Sequence, residues 1–256
     1  WVAGYGGVGE LGIGSTVNQN TLQNVAETIL DVQTFYMNDT GGRGNTTILT
    51  TAGTIKSCGY NGHRVIGDNT AVNKTVFTQE ALAKTNWVSF HGISDGNGAC
   101  RLAVDTGGNL FAWGWNDTGQ LGLGDTTFRA QPTLVTPPWT GTITKIRGGA
   151  LATSSGFLIF TNGGECWYSG IGSNRQVARG STATGNATSF ERLPMPGDGS
   201  GWHDGMIVGN SSNTHIHLVS KNGILYGHGY ADNGSLGIYQ VANSVGFPTP
   251  VPINRF

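Results

Sequence analysis

Charge is what this sequence lacks. Only 14 residues are Lys or Arg and 15 are Asp or Glu, 11% of the chain, where soluble domains usually carry ~25%. A disordered polyelectrolyte is excluded, and long solvated helices are disfavoured. The net charge of -1 leaves no basic footprint of the kind nucleic-acid binders show. No Lys/Arg cluster marks a membrane surface either. Cysteine is nearly absent: Cys58, Cys100 and Cys166 are an odd set without C-x-x-C, so neither a disulfide framework nor a zinc knuckle is expected. They read as buried free thiols in strands. Long apolar runs are missing too. A stretch such as FLIF at residues 157–160 is far too short to cross a bilayer, so no membrane insertion is expected. No signal peptide is visible, and the first residue is Trp1 rather than Met, which suggests a processed chain or a segment of a longer one. Abundance lies elsewhere, in 43 glycines and in Asn and Thr. Low charge with many turn formers predicts an all-β protein.

The chain opens on WVAGYGGVGELGIGS, in which residues 4–9 fit G-x-G-x-x-G. A dinucleotide site needs a strand before that motif, a helix after it and an acid about twenty residues on. Glu27 and Asp31 stand at a plausible distance, but ELGIGSTVNQNT has no helical period. A second stretch, FAWGWNDTGQLGLGD at residues 111–125, repeats the opening with Asn116 in place of Gly6. The fingerprint is therefore incidental, and no cofactor is expected.

The shared design recurs at KSCGYNGHRVIGD, WYSGIGSNRQVARG and LYGHGYADNGSLGIY. One glycine anchors each copy: Gly4, Gly59, Gly114, Gly170 and Gly229, separated by 55, 55, 56 and 59 residues. Six residues before an anchor stand Gly53, Gly108, Gly164 and Gly223, in sequences that read as hairpin turns with positive φ. Ten before stand Leu49, Val104, Phe160 and Val219. One after stand Tyr5, Tyr60, Trp115, Ile171 and Tyr230. Each unit reads as two strands, a tight turn, a third strand, a Gly-rich loop and a further short strand. Such a sheet has two apolar faces and needs neighbours. Radial stacking makes a β-propeller of about five tandem repeats over residues 1–256. The anchors read as sites of close backbone approach.

The segment NLFAWGWNDTGQLGLGDTTFRAQPTLV at residues 109–135 closely resembles the repeat of the regulator of chromosome condensation family. That repeat runs through a WG strand, N-x-x-G-Q-L-G-x-G and P-x-x-V. The first and last copies resemble it fairly. The second and fourth keep the frame but lose most of the Gly-Gln-Leu-Gly core. The resemblance implies a bladed β-propeller. Family members often have seven blades, and here five anchors stand with about one strand pair absent from an integral ring. A part of a larger propeller and an imperfectly closed five-bladed ring both stay open. The family's motif residues are structural, so the resemblance implies no catalytic residue. Its members include exchange factors for a small GTPase, chromatin binders, enzyme inhibitors and scaffolds.

Site candidates are few. His215 and His217 alternate on one strand, with His228 on its partner, and three imidazoles there could bind zinc. His217, however, occupies the position of Leu102 and Leu158, a packing position, so no metal is assigned. Asp68, Asp95, Asp105, Asp125, Asp198 and Asp204 read as loop caps rather than a catalytic pair. G-x-S-x-G, H-E-x-x-H and a P-loop are absent. Trp87, Trp113, Trp115, Trp139, Trp167 and Trp202 read as packing, or as a platform for sugar. N-x-[ST] occurs at Asn38, Asn45, Asn73, Asn116, Asn186, Asn210 and Asn233. Residues 16–28, 69–87, 136–142 and 181–203 differ most between repeats and read as partner-binding loops. The expected function is non-enzymatic recognition or assembly. Composition points to a virion or cell-surface protein, such as a phage tail or fibre domain binding a host-surface glycan or another protein of a larger assembly. The alternative is an intracellular partner-binding propeller of the exchange-factor type.

Overall fold

The computed structural model describes residues 1–37, 43–95, 98–151, 154–172, 185–209, 214–230 and 246–252. All regular structure among them is β-strand. A two-stranded sheet pairs β1 (Val2–Gly4) with β2 (Gln19–Gln23). Four-stranded sheets follow: β3 (Ile29–Met37), β4 (Arg43–Thr50), β5 (Ile55–Gly59) and β6 (Lys74–Gln79); then β7 (Trp87–Ser94), β8 (Ala99–Asp105), β9 (Leu110–Gly114) and β10 (Arg129–Leu134). The last two are β11 (Ile143–Leu151), β12 (Ser154–Thr161), β13 (Cys166–Gly170) and β14 (Ala187–Arg192), and β15 (Trp202–Gly209), β16 (Thr214–Ser220), β17 (Leu225–Tyr230) and β18 (Gly246–Pro252). Every pairing is antiparallel between consecutive strands. The five anchors thus give four complete sheets and one strand pair.

One hairpin recurs in each complete sheet. Gly53, Gly108, Gly164 and Gly223 have φ of 70, 78, 82 and 79°. Each donates its N–H to the carbonyl three residues back, at 2.9–3.0 Å, on Thr50, Asp105, Thr161 and Ser220. Those four residues in turn donate their N–H across the turn to Thr54, Asn109, Glu165 and Ile224. This is a three-residue loop closed by a left-handed residue, whose twist suits the flanking strands. The carbonyls of Gly53 and Gly164 also accept the N–H of Trp87 and Trp202, which begin the following sheet, at 2.9 and 2.7 Å.

The chain forms two compact units. Unit 1 comprises Trp1–Asp117 and Thr127–Val135; unit 2 comprises Thr118–Thr126 and Thr136–Phe256. In unit 1, β8 is buried along its whole length. Leu49, Ile55, Trp87, Phe90, Ala103 and Trp113 fill the space between two sheets. Unit 2 repeats the scheme with Leu158, Phe160, Tyr168, Trp202, Leu218 and Tyr226. Two sheets that each bury both faces of their inner strands explain the near-absence of charge.

Among the described residues five charged side chains are nevertheless buried, Glu10, Glu80, Asp95, Arg101 and Asp105, and Arg101 is the most enclosed. Arg101 of β8 is 0% exposed. It donates from Nη2 to Asn45 Oδ1 at 2.5 Å, and from Nε and Nη2 to Thr47 Oγ1 at 3.1 and 2.8 Å. The Phe35 ring centre lies 4.2 Å from its Cζ. Burial pushes the guanidinium down to about 9.

Candidate functional site

The anchors stand at strand ends where the sheet register breaks. Gly4, Gly59, Gly114 and Gly170 have φ of 116, 95, 97 and 115°. The third-to-fourth strand pairing shifts at each of them. A Cβ at Gly59, Gly114 or Gly170 would lie 2.3–2.6 Å from the carbonyl oxygen of Gly44, Ala99 or Ser155 on the second strand. At Gly4 no atom lies within 4 Å, and φ alone selects glycine. Gly229 pairs with His215 and Phe247 in the last sheet.

The loops after Gly4 and Gly114 grip the following sheet; those after Gly170 and Gly229 lie largely outside the described residues. In the first copy Gly9 and Gly12 each donate to the carbonyl three residues back, and Gly14 donates to Thr75 of β6 at 2.7 Å. Ile13 forms a bridge with Val76. Leu123 and Ser189 form the equivalent bridge within unit 2, beside a bond from Gly124 to Thr188 at 2.8 Å. The second copy has lost most of the sequence motif but keeps the path. Arg64 takes φ 61° where Gly9 and Gly119 have 90 and 78°, and the carbonyl of Val65 accepts Trp113 Nε1 at 2.8 Å.

Tyr60, Trp115 and Ile171 follow their anchors just past the ends of β5, β9 and β13, whereas Tyr230 stays in β17 and pairs with Gly246. The N–H of Tyr60, Trp115 and Ile171 bonds the carbonyls of Gly44, Ala99 and Ser155, at 2.8, 2.9 and 3.2 Å. The bond holds each of these residues against the second strand of its own sheet. In unit 1 this produces a row of rings. Tyr60 meets His63 edge-on at 5.2 Å, His63 lies 4.6 Å from Trp115, and Trp115 lies 4.2 Å from Phe128. Arg43 caps Tyr60 from 4.9 Å and donates Nη1 to its hydroxyl at 3.2 Å. Gly62 and Gly98 permit it: a Cβ there would lie 2.1 Å from Tyr60 Oη and 2.2 Å from Trp115 Cγ. Trp115 Nε1 has no hydrogen-bond partner among the described residues. The bulky anchor-following position was legible in sequence. Arg43, His63 and Phe128 were not, since they come from other elements of the fold.

The other candidates resolve by register. His215 and His217 share a face of β16, with ring centres 5.2 Å apart. His228 sits opposite Ile216, so side-chain alternation places it on the other face, and the three rings do not converge. His217 is half-buried, and burial lowers its imidazole below the ordinary value. Among the described residues no group of three His, Cys, Asp or Glu could hold a metal ion. Asp68, Asp105 and Asp198 each accept the N–H two residues on, at 3.1, 2.9 and 3.0 Å. Asp95 accepts the N–H of Gly98 at 2.8 Å. Asp204 departs from the loop-cap reading. It lies in β15 and pairs with Lys145 and Arg147 of β11, both at 3.0 Å.

Five of the tryptophans singled out lie away from any sugar platform or only partly in reach of solvent: Trp87, Trp113, Trp139 and Trp202 are buried, and Trp167 is half-buried. Asn45 and Asn116 are also buried, while Asn73 and Asn186 accept the N–H of Asn61 and Gly172 at 2.9 and 3.3 Å. These asparagines are structural caps; Asn38, Asn210 and Asn233 lie outside the described residues. Residues 16–28, 69–87 and 181–203, expected as binding loops, contain the outer strands β2, β6 and β14.

Tandem four-stranded meanders joined by loops that grip the next sheet are the blades of a repeat β-propeller. Residues 107–153 match the family model described as the Regulator of chromosome condensation (RCC1) repeat. The fold is similar to human WBSCR16, with TM-score 0.66 and 18% identity over 97% of this chain and 60% of that one. It is similar to Prp20p from Saccharomyces cerevisiae, whose structure is described with its binding properties to Gsp1p and histones: TM-score 0.65, 15% identity, 93% of this chain and 54% of that one. Yeast RCC1 (Prp20) in its structure with Kap60 gives TM-score 0.66 and 14% identity over 93% and 52%. Residues 107–153 carry the RCC1 repeat, and the chain has the fold of the RCC1 β-propellers. It spans 52–60% of the length of these structures.

Proposed function

We propose that this protein is a non-catalytic, protein-binding propeller, and that the ring row at the ends of β5 and β9 is part of its contact surface. The observation that carries the reading is that row itself: Tyr60, His63, Trp115 and Phe128 in edge-on and tilted contact one after another, with Arg43 over one end. Aromatic and arginine side chains held rigid by packing are the residues that dominate binding energy at protein interfaces. The inner strands are committed to packing, so specificity belongs to the loops. The composition that pointed to a virion has a structural explanation in left-handed glycines and buried Asn and Thr, which favours the partner-binding alternative of the exchange-factor or scaffold type. RCC1-type relatives supply the first partners to try, since Prp20p is described with Gsp1p and histones.

The test is calorimetric titration of this chain with Gsp1p and with histones, comparing wild type with a Tyr60→Ala/Trp115→Ala variant whose melting curve shows it folded. The expected outcome is binding to one of them that weakens about tenfold or more in the variant. Binding that the double variant leaves unchanged, or turnover of a substrate by the purified protein, overturns the reading.

A further inference from the structure

The ring row in unit 1 has a shape of its own. Tyr60, His63, Trp115 and Phe128 are each half-buried, so none is sealed in the core. Successive ring centres lie 5.2, 4.6 and 4.2 Å apart, and the planes meet at 82, 55 and 37°. The faces are therefore not coplanar. A sugar ring needs one flat aromatic face, whereas tilted rings in series present ridges with notches between them. Gly62 is exposed, and a Cβ on it would lie 2.1 Å from Tyr60 Oη. The glycine thus keeps that end of the row open.

The row also has a charged end. Arg43 lies over the Tyr60 ring, and the exposed Arg64 follows His63 in the chain. The Phe128 end is balanced: Arg129 follows Phe128, and the exposed Asp117 stands two residues past Trp115. Cations are scarce in this chain, 14 in 256 residues, so two arginines at one end of the row favour an anionic group there.

We propose that the row receives a proline-rich segment of a partner protein in the polyproline II conformation, with an acidic residue of that segment at the Tyr60 end. This rests on the reading of the row as a contact surface and names the chemistry it contacts. A polyproline II helix advances about 9 Å in each turn of three residues. Two steps along the row, of 5.2 and 4.6 Å or of 4.6 and 4.2 Å, span up to about that length. Prolines one turn apart therefore meet rings two places apart, Tyr60 and Trp115 or His63 and Phe128. A pyrrolidine ring is apolar and already fixed in φ, so seating it between tilted aromatics costs little conformational freedom. Aromatic-lined grooves are an established docking mode for such segments. The carboxylate at the Tyr60 end meets Arg43 and Arg64 in charge-assisted contact.

The probe is the peptide acetyl-Glu-Pro-Pro-Ala-Pro-Pro-Glu-amide, with a glutamate at each end to serve either direction of the helix along the row. One control replaces the four prolines by alanine; the other replaces both glutamates by lysine. All three are titrated into wild type, Tyr60→Ala/Trp115→Ala, Phe128→Ala and Arg43→Ala/Arg64→Ala, with melting curves recorded for each protein. Wild type is expected to bind the probe about tenfold or more tighter than either control. The ring variants are expected to lose that binding, and Phe128→Ala suffices if the double variant fails to fold. The arginine variant is expected to keep the preference for proline and lose the preference for glutamate. No binding of the probe at about 1 mM, equal binding of the alanine control, or binding that the folded ring variants leave unchanged overturns the proposal. If the ring variants weaken the binding of Gsp1p or histones while the probe does not bind, this proposal alone falls and the row remains a contact surface. If the ring variants weaken the binding of neither those proteins nor the probe, both readings fall. Cellohexaose bound in place of the probe, and lost in the ring variants, overturns the proposal in favour of a sugar platform.

Discussion

Two glycines show how differently the same residue type is used. Gly114 has φ 97°, and a Cβ on it would sit 2.6 Å from the carbonyl oxygen of Ala99. Gly108 has φ 78° in open space, with no atom within 4 Å. Gly114→Val is expected to cost about 3 kcal/mol or more, through overpacking and backbone strain. Gly108→Ala is expected to cost about 1 kcal/mol, through strain alone. Urea denaturation of both variants checks the ranking. The cysteines carry the second residue-scale prediction. Burial pushes the Cys58 thiol up to about 12, and pushes Cys100 and Cys166 well above the ordinary thiol value. All three are free and buried. The native protein is expected to react with a thiol reagent such as DTNB only as fast as it unfolds, with all three titrating in denaturant.

At the scale of the element, β8 is held to β4 by a polar contact inside an apolar sheet. Arg101→Ala removes the donor that satisfies Asn45 and Thr47 and empties the space beside Phe35. A loss of about 3 kcal/mol is expected. A double-mutant cycle with Thr47→Val should show coupling of about 1 kcal/mol, measured by the same denaturation. The hairpins between second and third strands were legible because their turn glycines recur at a fixed offset from each anchor. The fourth strand was legible only as a further short strand after the Gly-rich loop, without its place. β6 is half-buried at every position but Val76, β14 runs buried, half-buried and exposed twice over, and the Thr-x-Phe they share at Thr75–Phe77 and Thr188–Phe190 is too short to mark a strand. Their place is fixed by the preceding copy's loop, as the bridges Ile13 to Val76 and Leu123 to Ser189 show.

For the whole molecule, stability should fall on acidification, because several carboxylates ionise more easily in the folded protein. At Asp204 partial burial raises the pKa, but hydrogen bonds from Arg147 and Lys145 outweigh it and hold the group at about 2. At Asp105 and Asp68 burial is likewise outweighed, chiefly by Lys84 and by Lys74. A folded-state pKa below the unfolded value of about 4 stabilises the protein fully above that pH. The stabilisation is lost as pH falls through the folded value, here between about 4 and about 2 for Asp204. With allowance for its solvent exposure, Asp204 contributes about 1 kcal/mol at neutral pH. Melting temperatures from pH 7 to pH 2 should drop across that window, and Asp204→Asn should flatten part of the drop.

The sequence by itself determined the class of structure and its grammar. Glycines at fixed intervals mark left-handed turns and strand ends, because no other residue adopts those conformations cheaply, and scarce charge marks sheets buried on both faces. Those are local properties, written residue by residue. The tertiary structure alone decided which side chains meet. It separated His228 from His215 and His217 by one step of register, and brought Arg43, His63 and Phe128 to Tyr60 and Trp115. The physical reason is that a sheet's side chains alternate and its neighbours come from other parts of the chain. A site is therefore set by pairing register and loop packing, neither of which appears in the spacing of residues along the sequence.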